Sequence, residues 1–142
     1  HRGRVTRFQT FMTGEVYALL SQHSILGKTL DLNGAFDEVA FVQGVDQSQS
    51  AGSVLNKLFA VRTLELFERL TAAALPSYLS GLLIGEELRT QTVSANAPPV
   101  ILIGSQALTQ RYALALEHLG IACQSQGAEA TWAGLFALAS AC

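Results

Sequence analysis

Pro98-Pro99 interrupts the chain, and the residues after it leave few architectures open. Val100-Ile101-Leu102-Ile103 is an unbroken β-favouring apolar run, and Gly104-Ser105 turns it into a segment where Leu108, Tyr112, Ala115, Leu116 and Leu119 recur at helical spacing up to Gly120. Such a run predicts a central strand covered on both faces. Gly120 suits the left-handed stop after a helix. Ile121-Ala122-Cys123-Gln124 reads as a second strand, and Ala128 to about Ser140 as a last helix. Two strands joined through a helix by short connections pair in parallel with a right-handed crossover. The fold class is therefore α/β.

The preceding residues are mainly helical. Arg4 to Phe11 alternates loosely and predicts a short strand, after which Thr13-Gly14-Glu15 supplies an N-cap and a first-turn carboxylate. Helix one then runs from about Gly14 to Gln22, burying Val16, Leu19 and Leu20, with Gly27 closing the next loop. A short helix is expected from Asn33 as cap to Gly44 as terminator, with Phe36, Val39 and Ala40 on its apolar side. The polar stretch Gln47 to Ser53 predicts an exposed loop. Leu55, Leu58, Phe59, Arg62, Leu66 and Leu70 form the most regular helical stripe in the chain. Pro76 suits the first turn of another helix, Ser77 to about Gln91. Tyr78-Leu79-Ser80-Gly81-Leu82-Leu83-Ile84-Gly85 is apolar nearly all round, so this helix is buried on most sides, and Gly81 and Gly85 admit a close neighbour.

Composition narrows the class further. The 142 residues are 49% hydrophobic and 14% charged, which excludes intrinsic disorder and predicts a single packed unit needing no disulfide staples. The formal charge is −2, and nine Lys and Arg are dispersed rather than striped, so nucleic acid is not an expected partner. Cys123 and Cys142 belong to no ligand cluster and read as ordinary reduced thiols. No apolar run reaches the roughly 18–20 residues that span a bilayer, and no leader pattern is present, so the expectation is a cytoplasmic protein without membrane contact. The chain begins His1-Arg2-Gly3-Arg4 and enters a strand at once, which predicts a piece of something longer.

Few residues suggest chemistry. The Gly104-Ser105 turn lies where open α/β sheets bind ligands, outside the carboxyl end of a strand, where free helix amides attract anions. A tight turn capped by Ser105 accounts for the same residues, since neither the three-glycine dinucleotide fingerprint nor a P-loop is present. Thr13-Gly14-Glu15 offers a hydroxyl, an unobstructed backbone and a carboxylate, or simply a capped helix. Arg62 shares a stripe with Leu58, Phe59 and Leu66, where a buried cation needs a partner. Glu15 is one candidate, and anion binding is the other reading. Glu86 and Glu87 read as a solvated helix end without a role. His23 and His118 lack a second metal ligand at recognisable spacing, Ser80 lacks the G-x-S-x-G elbow, and Trp132 with Phe136 reads as core.

Several segments together resemble the 2-dehydro-3-deoxygalactonokinase family. They are Phe8-Gln9-Thr10-Phe11-Met12-Thr13-Gly14-Glu15, His23-Ser24-Ile25-Leu26-Gly27, Leu58-Phe59-Ala60-Val61-Arg62-Thr63, Tyr78 to Gly85, and Leu102-Ile103-Gly104-Ser105 with the helix behind it. Their order through almost the whole chain carries the resemblance. It implies the superfamily of sugar kinases, actin and heat-shock chaperones, built from two ribonuclease H-like α/β lobes around an ATP cleft. The chain then corresponds to the C-terminal lobe over 1–142, with a mainly helical inserted block at 14–92 and a β-α-β-α adenosine-binding part at 99–142.

The resemblance also implies roles. Gly104, Ser105 and Gln106 would line the adenosine, Thr13 and Gly14 would face the phosphates of ATP with its Mg²⁺, and Arg62 would meet the carboxylate of the sugar acid. No catalytic residue falls in this chain. The Asp-Gly phosphate turn and the acidic base belong to an N-terminal lobe, a Gly-Thr-His-like turn would lie just before His1, and Gly-Ser stands where many relatives have Gly-Gly. The chain alone is expected to be inactive. The missing lobe is the expected partner, and a homo-oligomer is open through the helix around Gly81. A noncatalytic actin-like, nucleotide-gated assembly module is the alternative from another class, and a dinucleotide-binding domain is a third.

Overall fold

The computed structural model describes residues 8–91, 98–127 and 129–140. Six helices and two strands run in the order α1 (Thr13–His23), a 3-10 turn (Leu26–Lys28), α2 (Glu38–Gln49), α3 (Val54–Leu66), α4 (Leu75–Arg89), β1 (Val100–Ile103), α5 (Gln106–His118), β2 (Cys123–Gln126) and α6 (Glu129–Ser140).

Helix α4 is the axle. It packs against α1, α2, α3 and α5, and every residue from Ser77 to Gly85 is buried, as its all-round apolar sequence predicts. Its tightest neighbour is α2, and the approach is set by glycines. A Cβ on Gly81 would lie 2.0 Å from the Phe41 carbonyl oxygen, and one on Gly85 would lie 2.2 Å from Ser48 Oγ. From the opposite helix, a Cβ on Gly44 would sit 2.1 Å from the Tyr78 carbonyl oxygen. Gly44 is thus an interior contact residue of α2 and not the terminator expected of it. The helix starts later as well: Asp37, not Asn33, is the cap, and its carboxylate accepts from the Ala40 amide at 2.9 Å.

Two apolar clusters result. Leu26, Val61, Leu75, Leu79 and Leu82 form one, and Phe41, Val45, Ile84 and Ala115 form the other. Of the stripe expected on α3 and beyond it, Leu58 and Leu70 pack on the core, but the deepest contacts come from other residues. Lys57 and Val61 are buried, whereas Leu55, Phe59 and Leu66 are exposed, and the helix ends at Leu66. Both sides of α3 are apolar, so contact with α4, α2 and the 3-10 turn selects the inner one. Leu19 likewise faces outward from α1.

Strands β1 and β2 pair in parallel, Val100 against Cys123 through Ile103 against Gln126, as the strand-helix-strand pattern predicts. Gly120 ends α5 with φ +72°. Coverage differs from expectation. Burial alternates along β1, and Ile101 and Ile103 are 47% and 52% exposed, so one face of the strand lies open among the described residues. Trp132 and Phe136 are exposed on α6 and are not core. Of the early strand, Phe8 to Phe11 has no ladder partner, and the remainder lies outside the described residues, as does Cys142. Among the described residues no helix is long and apolar enough to cross a membrane.

Candidate functional site

Because β1 and β2 run in parallel and in step, their carboxyl ends finish at the same level. Gly104, Ser105 and Gln106 after β1 meet Ser125, Gln126 and Gly127 at the end of β2, and together with Thr109 they line a cleft of about 420 Å³. The helix terminus facing it is open. Ser105 occupies the N-cap position in extended backbone, yet its hydroxyl makes no capping bond. Its carbonyl receives the amides of Leu108 at 3.1 Å and Thr109 at 2.9 Å. The Gln106 and Ala107 amides, just before them in the same turn, have no acceptor among the described residues. Such unfilled donors make a helix start attractive to anions. Thr109 stiffens the turn from beneath: its buried hydroxyl reaches the carbonyls of Ser105 and Gln106 at 3.2 and 3.1 Å. A Cβ on Gly104 would meet only Thr109 Cγ2 at 3.6 Å, an ordinary contact. Packing does not demand glycine there, and its bare backbone faces the cleft.

A second cavity, of about 130 Å³, lies across α5 from the first, between α1, α4 and α5. Thr13 and Gly14 are in its wall, beside Tyr17, Ser80, Arg111 and Tyr112. Thr13 is the first residue of α1 and not its cap, a position taken by Met12. Its hydroxyl donates instead to Glu87 Oε2, which also accepts from Tyr112 OH at 2.6 Å. Burial, and then Glu87 itself, hold the Tyr112 phenol far above its ordinary pKa, so Tyr112 remains a protonated donor. Glu87 ties α1, α4 and α5 together, a role unlike the solvated helix end its sequence suggests. Gly14 is exposed, with nothing within 4 Å of where its Cβ would stand.

The sequence candidates therefore divide. Gly104, Ser105 and Gln106 share the strand-end cleft, Thr13 and Gly14 share the cavity across α5, and the half-buried Arg62 lines neither. Arg62 and Glu15 form no ion pair. The buried cation of α3 is Lys57, whose Nζ donates to the Ser48 carbonyl and to Glu86 Oε1, both at 2.6 Å. Burial raises the Glu86 pKa, but hydrogen bonds and charge from Lys57 and Arg89 outweigh it and hold the carboxyl below its ordinary value. The Cys123 thiol is pushed up by burial and by Glu117, which does not make it an activated nucleophile. Among the described residues no three His, Cys, Asp or Glu side chains gather to hold a metal ion.

Sequence reasoning missed Glu87, Tyr112 and Arg111. The one available signal was two adjacent glutamates at the end of a helix apolar on every side, where a carboxylate has little chance of reaching water.

Known proteins share this fold. A crystal structure from Sinorhizobium meliloti, described as a 2-dehydro-3-deoxygalactonokinase, superposes with a TM-score of 0.84 at 35% identity, covering 97% of this chain and 48% of that one. A Rhizobium meliloti protein of the same description is 36% identical over 143 residues, 97% of this chain and 47% of the relative. The Escherichia coli 2-dehydro-3-deoxygalactonokinase is 31% identical over 118 residues, 82% of this chain and 40% of the relative. The chain thus spans about half the length of the relatives it matches. Residues 1–138 match the family 2-keto-3-deoxy-galactonokinase. With the segments that resemble that family running in order from one end to the other, and a solved relative sharing the backbone, the chain belongs to the 2-keto-3-deoxy-galactonokinase family.

Proposed function

We propose that this chain is the C-terminal, nucleotide-binding lobe of a cytoplasmic kinase that moves the γ-phosphoryl group of ATP to the terminal hydroxyl of 2-dehydro-3-deoxygalactonate. In this reading the lobe is ribonuclease H-like and of the actin type, with residues 14–92 as its inserted helical block and 99–142 as its adenosine-binding part. Its partners are a first lobe carrying the catalytic base and the sugar acid itself, and the chain alone is inactive.

The open Gly104–Ser105 turn at the joined ends of β1 and β2 carries this reading. Its residues fit a nucleotide: a bare backbone at Gly104, two unfilled amides at Gln106 and Ala107, and polar side chains at Ser105, Gln106, Ser125 and Gln126 around one cleft. ATP with Mg²⁺ supplies the transferable phosphoryl group and the charge that screens it. The chain's own residues bind and orient. Gly104 lets the nucleotide approach the backbone, Ser105 and Gln106 border it, and Thr109 keeps the turn in shape. Thr13, engaged by Glu87, fixes the start of α1 in the neighbouring cavity and leaves Gly14 as its uncovered backbone.

Gly104→Val in the intact protein tests this directly. Two methyl groups would occupy the approach to the turn, and the expected result is a KM for ATP raised about tenfold, with kcat less affected. An unchanged KM removes the turn from the nucleotide site.

A further inference from the structure

We infer that Arg111 binds an oxyanion in the cavity between α1, α4 and α5, and that the carboxylate of the sugar acid is its natural occupant. The identity of that occupant rests on the proposed kinase activity; the oxyanion site does not.

The inference starts from a charge without a counter-charge. Arg111 is half-buried in the middle of α5, its guanidinium 5.2 Å from the centre of the Phe36 ring and its Nη1 3.4 Å from the hydroxyl of buried Ser80. Neither partner carries charge. Among the described residues it forms no ion pair. Glu38 borders the recess on its other side without reaching it, and Glu87 Oε2 is already taken by Thr13 and Tyr112. The titratable groups facing the cavity are phenols: Tyr17 and Tyr112 are both pushed upward by burial and remain neutral. Lys57 shows what a cation made for structure looks like in this molecule, with a carboxylate and a carbonyl each at 2.6 Å.

The cavity's size and lining specify the ligand. About 130 Å³ receives a carboxylate or a phosphoryl group on a short stem and is too small for a base or a whole nucleotide. A guanidinium offers two parallel N–H donors to such a group. Ser80 and Tyr17 add hydroxyls, and Gly14 leaves one side unobstructed. Arg62 lines neither this cavity nor the strand-end cleft.

Carboxylate and phosphate share this chemistry, and calorimetric titration of the intact protein separates them with three probes: 2-dehydro-3-deoxygalactonate, ATP and inorganic phosphate. Arg111→Gln keeps a polar amide on a shorter stem but loses the charge and the reach to Ser80, and Arg111→Lys restores charge without the fork. The expected result is sugar-acid affinity lowered about tenfold or more in Arg111→Gln, partial recovery in Arg111→Lys, and unchanged affinity for ATP. Weakening of ATP and inorganic phosphate instead keeps the oxyanion site and assigns it to the triphosphate. Equal affinities of Arg111→Gln and the unsubstituted protein for all three probes overturn the inference, even where the protein phosphorylates the sugar acid. A protein that binds an oxyanion through Arg111 yet transfers no phosphoryl group overturns the function and leaves this site standing. Thermal melting of both variants reports any loss of fold, and Arg111→Lys, which keeps a cation over Phe36, remains informative if Arg111→Gln melts.

Discussion

The helical block and the β-α-β-α part are both rich in apolar residues and both leave some exposed, Leu55, Phe59 and Leu66 in the block among them, yet the block builds the deeper core. In the block, α4 is wrapped by three helices of its own neighbourhood and by α5, and Leu75, Leu79, Leu82, Phe41 and Val61 are fully buried. In the second part, Ile101 and Ile103 face outward, and α6 shows Trp132, Leu135, Phe136 and Leu138 at its surface. An apolar side chain becomes core only where another element reaches it. The glycines of α2 and α4 let two backbones close together and seal the block, whereas a two-stranded sheet with one helix behind it leaves a face free.

Three substitutions can break or sharpen that contrast. The largest effect is expected at the seam: Gly81→Ala places a methyl on the Phe41 carbonyl, and urea unfolding should show a loss of about 3 kcal/mol, the upper part of the overpacking range. A loss below about 0.5 kcal/mol, ordinary for surface changes, would mean that α2 and α4 do not meet backbone to backbone. Lys57→Met comes next, at about 2–3 kcal/mol. Breaking a buried pair strands its partner, but here Arg89 still accompanies Glu86 at 2.7 Å. This effect depends on pH with a fixed sign. Because the Glu86 carboxyl is depressed in the folded state, its stabilisation is complete above the ordinary value of 4.5 and is lost as pH falls through the lowered one. The stability gap between the original protein and Lys57→Met should narrow below pH 4.5, and a gap that widens there would exclude the ion pair as its source. Trp132→Ala is expected to matter least. At 74% exposure its removal should change unfolding by no more than about 0.5 kcal/mol, and a larger change would show that α6 is covered after all.

Much of the fold was legible because it is local. The β1 run, Pro76 in the first turn of α4 and the left-handed stop at Gly120 each arise from the conformational preferences of the residues that form them. Gly44 was not legible, because a glycine that ends a helix and one that admits a neighbouring backbone look alike until the neighbour is known. The inner face of α3 was hidden for a related reason: Leu55, Phe59 and Leu66 belong to the regular stripe, and the positions of α4 and α2 turn Lys57 and Val61 inward. The site divides along the same line. Gly104, Ser105 and Gln106 are contiguous and could be read as one turn, while Glu87, Arg111 and Tyr112 come from two helices whose crossing no spacing announces.

The order of residues settled the strand-turn-helix that opens the strand-end cleft, the parallel pairing of its two strands and the family to which the chain belongs. Tertiary structure alone decided which cation is sealed and which is open. Lys57 finds Glu86, 29 positions away, while among the described residues Arg111 finds Phe36 and Ser80. Charge acts across space, and the partners that neutralise it or leave it free are fixed only when the helices have packed.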